Sequence, residues 1–497
     1  MDSPRSDTLP VERILELHAQ FSQLEPLRQL ERELVRRCAK KKSALESHEL
    51  EAIRYAIAVA ALGPITTRHG DVDAFELVAP FRHWLIEQLS YFIVPGGERA
   101  IDWRGLKQLR PSIMTRVDEV RTHVLTHYSR ELSLDRFERE VTQKALVLVL
   151  GGGGGSGYCH LGALALLADM GLTPSLIVGA SMGALIGMFR AERNAYDPVA
   201  TALALPRPSE WSKVFTPYRG YSRYGFPGTI ELKARAVGND TFQRLIGKPI
   251  PRITDLAIPY RAVVTGLRTG IGLALSDIER QIELTTGRRR PQRAQKQLRL
   301  FVGTMKTMLD NPRLLEEVVF GGPGLEDFDA IDAMGLSCAV PGIIHYDIFD
   351  DANPSAQTLR ELLHERRLLR LTDGGVISNV PCRAAWQTVQ RGEIGYRNSF
   401  VLAFDAFAPV LNRNALFLPV QQLARRSTLV NRPYCDHLIT YRRPPAPFHL
   451  LLSLERLQRV ISDTRSQLKS ERPFIDLMMR PLPRWGNLQR AFPEAAL

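Results

Sequence analysis

The chain has 497 residues and carries 65 Lys+Arg against 53 Asp+Glu, a formal charge of +12. At 44% hydrophobic and 24% charged residues it can bury a sizeable core. That composition excludes a disordered chain or a coiled coil as a description of the whole, and the length leaves room for about three domains. The five cysteines, Cys38, Cys159, Cys338, Cys382 and Cys435, show no CxxC or Cys/His pairing at metal-ligand spacing. This argues against a disulfide framework or a zinc site and suits a reducing compartment.

From the N-terminus, MDSPRSDTLPVERILELH has no apolar core of signal-peptide length. Nowhere do about 18 apolar residues run together, so no transmembrane helix is expected. Residues 11 to 144 read as a helical region. Val11, Ile14, Leu15, Leu17, Phe21, Leu24 and Leu27, then Leu30, Leu34 and Val35, recur at roughly helical spacing. The basic run Arg36 to Lys42 inside this region reads as a solvated helix end.

At Ala145 the texture changes. Residues 145–150, Ala-Leu-Val-Leu-Val-Leu, form a β-type run of buried-strand length, ended by five glycines, Gly151 to Gly155. Further strands are expected at Leu176–Val178, Tyr260–Thr265, Leu368–Thr372 and Phe400–Phe404, with helices at Leu161–Met170 and Met182–Glu192. Strands alternating with helices imply an α/β layer fold with a largely parallel sheet. Beyond about Pro409 strand signals fade, and Leu451, Leu454, Leu457, Ile461 and Leu468 predict an amphipathic helix after the breaker Arg-Arg-Pro-Pro-Ala-Pro. The expected division is therefore 1–144 helical, 145–408 catalytic and 409–497 a C-terminal helical extension.

Three glycine-rich points carry chemistry. In 150–157, Leu-Gly-Gly-Gly-Gly-Gly-Ser-Gly, bare amides between a strand and a helix suit an anion, either a phosphate or a developing oxyanion. Gly152, Gly154 and Gly157 satisfy G-x-G-x-x-G, but no acidic residue follows the next strand to hold a ribose, and no Lys-Ser or Lys-Thr completes a P-loop. Gly179-Ala180-Ser181-Met182-Gly183 matches G-x-S-x-G between a strand and an apolar helix. That is the context of a nucleophile elbow, in which larger residues beside the serine would clash. Asp373-Gly374-Gly375 ends another strand, and a strand-end carboxylate could serve Ser181 as a base if it lies within hydrogen-bond reach.

The ordered set of Gly-rich loop, G-x-S-x-G and D-G-G resembles the patatin-like phospholipases over about residues 145 to 408, and the first block is similar to the neuropathy-target-esterase branch. Ser337-Cys338-Ala339-Val340-Pro341-Gly342-Ile343-Ile344 resembles that family's stretch ahead of the aspartate. The resemblance implies a patatin-like three-layer α/β sandwich with a mostly parallel central sheet, flanked here by N- and C-terminal helical regions. It further implies a lipid acyl hydrolase (phospholipase, lysophospholipase or glycerolipid lipase) with Ser181 as nucleophile, Asp373 as base and the Gly152, Gly153 and Gly154 amides as oxyanion hole. Gly179, Gly183, Gly374 and Gly375 are the supporting motif glycines. No metal or cofactor is implied. Ser156 stands where the family commonly has Arg or Lys, so a catalytically weakened lipid-binding protein stays open, as does acyl transfer by the same dyad. A Ser-Asp-His triad would have to use His437 or His449 and would leave the glycine loop and D-G-G unexplained. His160 reads as a structural residue of the loop.

From Thr286 to Leu309 seven basic residues and no acid accompany apolar residues at helical spacing. Arg288, Arg289, Arg290 and Phe301 are candidates for contact with an anionic membrane surface. No aromatic interleaving or reader motif points to nucleic acid. The expected setting is cytoplasmic and peripheral to a membrane or lipid surface, with a glycerolipid or phospholipid as substrate.

Overall fold

A computed structural model describes residues 11–40, 45–94, 101–247, 251–268, 303, 308, 311–408 and 418–492. The chain divides into two compact units. One comprises residues 1–146, 387–400 and 470–497, and the other 147–386 and 401–469.

The first unit is mainly helical, with helices Val11–Ala39, Ser47–Ala60, Ala79–Phe92, Trp103–His127, Leu134–Thr142, Arg472–Met479 and Trp485–Ala491. Its core gathers Leu27, Leu34, Tyr55, Leu85, Phe137 and Trp485. One departure from an all-helical reading is a hairpin of β1 (Pro64–Thr67) and β2 (Gly70–Asp73). Gly70 at φ +113° closes its turn, and a four-residue strand is too short to show a period of two. Arg82 is fully buried and donates to the carbonyls of Ala60, Leu62 and Phe75, so it ties three segments that would otherwise leave buried acceptors unpaired. The Arg36–Arg37 end of the first helix is paired to Glu33, as a solvated basic helix end allows.

The second unit holds most of the main sheet. Its strands are β3 (Ala145–Leu150), β4 (Leu176–Ala180), β7 (Tyr260–Arg268), β8 (Leu315–Phe320), β10 (Leu368–Asp373), β11 (Ser399–Asp405) and β12 (His437–Thr440), in spatial order β10-β7-β4-β3-β11-β12 with β8 also on β7. A smaller sheet joins β5 (Phe215–Pro217), β6 (Ile230–Leu232) and β9 (Ile344–His345). The five strands expected from sequence are all present. The fold is a three-layer α/β sandwich with a mostly parallel central sheet, and β3 is buried at all six positions, as a strand covered on both faces must be.

The three strands of the smaller sheet and two of the larger were not foreseen. β8, Leu-Glu-Glu-Val-Val-Phe, has two charges that hide its pattern. β12, His-Leu-Ile-Thr, is only four residues long and forms because β11 offers it a parallel edge. Leu454–Gln467 is helical as expected, burying Leu457, Ile461 and Thr464. It lies close against the helix Cys159–Asp169: a Cβ on Gly162 would come within 2.6 Å of Thr464 Cβ. Among the described residues no helix is long and apolar enough to cross a membrane.

Candidate active site

The register of β7 assembles the site. β4 runs parallel to β7 and pairs Ala180 with Val263; β10 runs antiparallel to it and pairs Asp373 with Val264. The carboxyl ends of β4 and β10 therefore meet head-on at adjacent residues of one strand. The next residue after β4 is Ser181, and the last of β10 is Asp373. Residues far apart in the chain are brought into one cavity.

At this junction the ladder is interrupted, and Ser337 fills the gap. Its hydroxyl donates to Val263 O (2.6 Å) and accepts from the Ser181 N–H (2.9 Å). The same block holds β10, since Asp373 N–H donates to Ala339 O and Gly374 N–H to Ser337 O. Gly374 must be glycine, because a Cβ there would lie 2.0 Å from Val263 O.

Ser181 has φ +53° and ψ −126°, one of two non-glycine residues with positive φ among those described. Such a conformation costs on the order of 1–3 kcal/mol and persists only where surroundings enforce it. Here the enforcement is close packing. A Cβ on Gly183 would sit 2.0 Å from Leu150 O, and one on Gly179 would sit 2.5 Å from Ala184 N. The serine carbonyl accepts from Ala184 N–H and Leu185 N–H, starting the helix Met182–Ala191.

The glycine loop lies beside the serine: a Cβ on Gly152 would fall 3.1 Å from Ser181 Cβ. Its amides are unequally engaged. Gly151 N–H donates to Phe404 O, Gly152 N–H to Asn379 O and Gly155 N–H to Pro447 O. Those of Gly153 and Gly154 have no partner among the described residues. Gly154 has φ +53°, and a Cβ there would come within 2.5 Å of Pro447 O. Ser156, 1% exposed, donates through Oγ to Gly153 O at 2.5 Å and closes the loop on itself. His160 is wholly buried between Gly151 O (2.8 Å from Nε2) and the Tyr441 hydroxyl (3.0 Å from Nδ1). Burial pushes its pKa down to about 4, so the ring is neutral and braces the loop.

Asp373 is 6% exposed. Its Oδ1 accepts from Gly375 N–H (2.7 Å), and Oδ2 has no hydrogen-bond partner among the described residues. Burial raises its pKa to about 6, opposed by the nearby Ser181 hydroxyl and the Gly375 N–H. Neither His437 nor His449 lines the cavity that Ser181 and Asp373 share.

Two cavities open from Ser181. The first, about 130 Å3, is lined by Ser181, Asp373, Gly153, Gly154, Asn379 and Phe448 among others. The second, about 110 Å3, runs between the helices Met182–Ala191 and Ala234–Ile246 and is lined by Leu185, Met188, Val237 and Met334.

Sequence reasoning did not single out Asn379, whose amide Nδ2 is buried without a partner among the described residues. The signal available was a short polar residue at the end of the turn that follows D-G-G. Nor did it foresee that residues 446–450 cover the glycine loop, since such a contact between distant segments leaves no local pattern. Arg288, Arg289, Arg290 and Phe301 lie outside the described residues. Among the described residues no group of three or more His, Cys, Asp or Glu is placed to hold a metal ion.

A mostly parallel sheet that carries a serine on a strand-to-helix elbow, facing a strand-end carboxylate, defines an α/β protein of the nucleophile-elbow type. More particularly, residues 148–386 match the family model described as patatin-like phospholipase, so this part of the chain is a patatin-like phospholipase domain. It is 32% identical over 165 residues to neuropathy target esterase sws of Drosophila persimilis, covering 31% of this chain and 11% of that protein. It is 34% identical over 139 residues to patatin-like phospholipase domain-containing protein 7 of Rattus norvegicus (28% and 10%). With patatin-like phospholipase domain-containing protein 6 of Mus musculus the identity is 28% over 189 residues (35% and 13%). The chain thus spans about a tenth of the length of these relatives.

Proposed function

We propose that the protein is a lipid acyl hydrolase that works through a Ser181/Asp373 dyad and an acyl-enzyme. One observation carries the reading: an elbow serine lies in one cavity with a buried, half-unpaired carboxylate and two uncommitted backbone amides. The patatin-like domain match and the esterase and phospholipase names of the relatives point the same way.

In this reading Asp373, poised near pH 6, takes the Ser181 proton while Oγ attacks an ester carbonyl. The Gly153 and Gly154 amides receive the oxyanion, each such donor being worth about 2.7–4 kcal/mol. Gly152 shapes the loop, its own amide being given to Asn379 O. Gly179, Gly183, Gly374 and Gly375 allow the two turns to close. The hydroxyl at Ser156 does not supply a positive charge, and the oxyanion is met by amides and by the start of the helix Met182–Ala191. The substrate is a glycerolipid or phospholipid ester taken from a lipid surface. Phe448, 52% exposed at the first cavity, is the described residue best placed to meet that surface.

The test is labelling with a fluorophosphonate, with and without lipid vesicles, and location of the adduct by mass spectrometry. An adduct on Ser181 that is lost in Asp373→Asn supports the dyad. If the folded protein takes no label under either condition, the reading as a hydrolase fails and a lipid-binding protein replaces it. Acyl transfer differs only in the acceptor and would appear as acylated lipid in place of free fatty acid.

A further inference from the structure

The two cavities share Gly154, Ser181, Val340, Ile344 and Leu450, and diverge from the serine. They differ in what else they hold. Asp373 and Asn379 line the first and not the second. The second is walled by aliphatic, aromatic and methionine side chains, with Thr241, the Cys338 thiol and the Tyr158 hydroxyl as its polar groups. That Tyr158 hydroxyl already donates to Leu450 O.

Ester cleavage makes this asymmetry meaningful. When Ser181 Oγ bonds to the carbonyl carbon, its proton passes to Asp373. When the tetrahedral adduct collapses, the bond from that carbon to the alcohol oxygen breaks, and the same proton must reach the departing oxygen. The alcohol half therefore has to lie on the Asp373 side. The acyl chain stays attached to Ser181 and has to lie where the carboxylate does not.

Resting on the hydrolase reading, we propose that the second cavity holds the acyl chain and the first the alcohol half, and that the alcohol half is itself apolar, as in a two-chain neutral glycerolipid. Two features of the first cavity argue for the last clause. Beyond Ser181, Asp373 and Asn379 its described wall is glycine backbone and apolar side chains, among them Ile343, Val376, Phe407, Ala424 and Phe448, with no Lys or Arg to meet a phosphate. Asn379 is 3% exposed, and its Nδ2 has no partner among the described residues. Its backbone is fixed at both ends, the N–H donating to Ser427 Oγ and the carbonyl accepting from Gly152 N–H. A buried amide held in place and left unpaired calls for an acceptor from outside, and the second ester group of a diacylglycerol supplies one a few bonds from the scissile oxygen.

The experiment measures two rate ratios with the full chain in mixed detergent micelles. Nitrophenyl laurate against nitrophenyl butyrate varies only the acyl chain. Dioleoylglycerol against monooleoylglycerol varies only the alcohol half. Val237→Trp narrows the second cavity and Ala424→Trp the first. The wild type should favour dioleoylglycerol by about tenfold or more, since a pocket built to pair a polar group discriminates strongly against a ligand that lacks it. Val237→Trp should lower the laurate-to-butyrate ratio by about tenfold with the two-chain preference kept, and Ala424→Trp should do the converse.

If both variants move both ratios together, or the wild type favours monooleoylglycerol, the division is overturned while the hydrolase reading stands. If no substrate is cleaved in a Ser181-dependent way, both fall. Val237→Phe and Ala424→Leu, expected to shift the same ratios less, serve should the tryptophan variants melt early by circular dichroism.

Discussion

Replacing Asp373 by asparagine should abolish activity and stabilise the fold together. The carboxyl titrates near 6 in place of its ordinary 3.8 because burial disfavours the charged form. The folded protein thus binds this proton more tightly than the unfolded chain does. Stability from the group is full below about pH 4 and declines as pH rises toward 6, leaving a standing cost of about 3 kcal/mol above that. The substituted amide would resemble the protonated acid, keeping an acceptor for Gly375 N–H without the charge. At about pH 8 the variant should melt about 5–10 °C higher than wild type, and near pH 4 the gap should close. Scanning calorimetry across that range reads the difference, with ester hydrolysis measured beside it. Loss of the base should cost about 10²–10⁴-fold in kcat. A variant that melts at or below wild type at pH 8 would refute the argument from burial, and one that keeps its activity would refute the role of the base.

In the wild type, kcat/KM for a soluble ester should rise through about pH 6 as Asp373 ionises and level off above it; a rate falling over that range in a pH-rate profile contradicts the assignment. Ser337→Ala leaves the Ser181 N–H without its acceptor and Val263 O without its donor. The expected loss is about 1–3 kcal/mol in a denaturant melt together with a drop in kcat. Gly183→Ala pushes a methyl group into Leu150 O, so soluble yield should collapse, whereas a normal melting temperature would show that the elbow can shift. Ser156→Ala removes the bond to Gly153 O and should cost about 1 kcal/mol, with fluorophosphonate labelling slowed and not lost; an unchanged labelling rate would show that the loop keeps its shape without this hydroxyl.

The sequence was most legible where chemistry and backbone constraint coincide. β3 is an uninterrupted apolar run stopped by glycine, so its type and limits could be read directly, whereas β4 was recognised but runs two residues past its expected end, through Gly179 to Ala180. The glycines at 179, 183 and 374 announced crowded turns, and the structure shows which atoms crowd them. What the sequence could not carry is pairing between distant segments. Nothing in Leu-Leu-Arg-Leu-Thr-Asp says that it runs antiparallel to β7, yet that orientation turns Asp373 toward Ser181. The cover of the glycine loop by residues 446–450, the pairing of Ser337 with the Ser181 amide and the unpaired amide of Asn379 likewise arise only once the chain has folded. β12 was missed for a related reason: four residues of mixed polarity become a strand only because β11 is already there to pair with.

The head-on meeting of β4 and β10 makes β7 a ruler for the site. The spacing of Ser181 and Asp373 is set by two neighbouring rungs, Val263 and Val264, and not by the lengths of the connections between them. The stretch from Arg268 to Leu315 can grow, shrink or change in composition without altering that spacing, because β8 returns along β7 through its own ladder. A slip of β10 by one residue, in contrast, would carry the carboxylate about 3.3 Å along the strand and turn it to the opposite face of the sheet. Connecting segments can therefore change without disturbing the site, whereas β7 has almost no freedom of register.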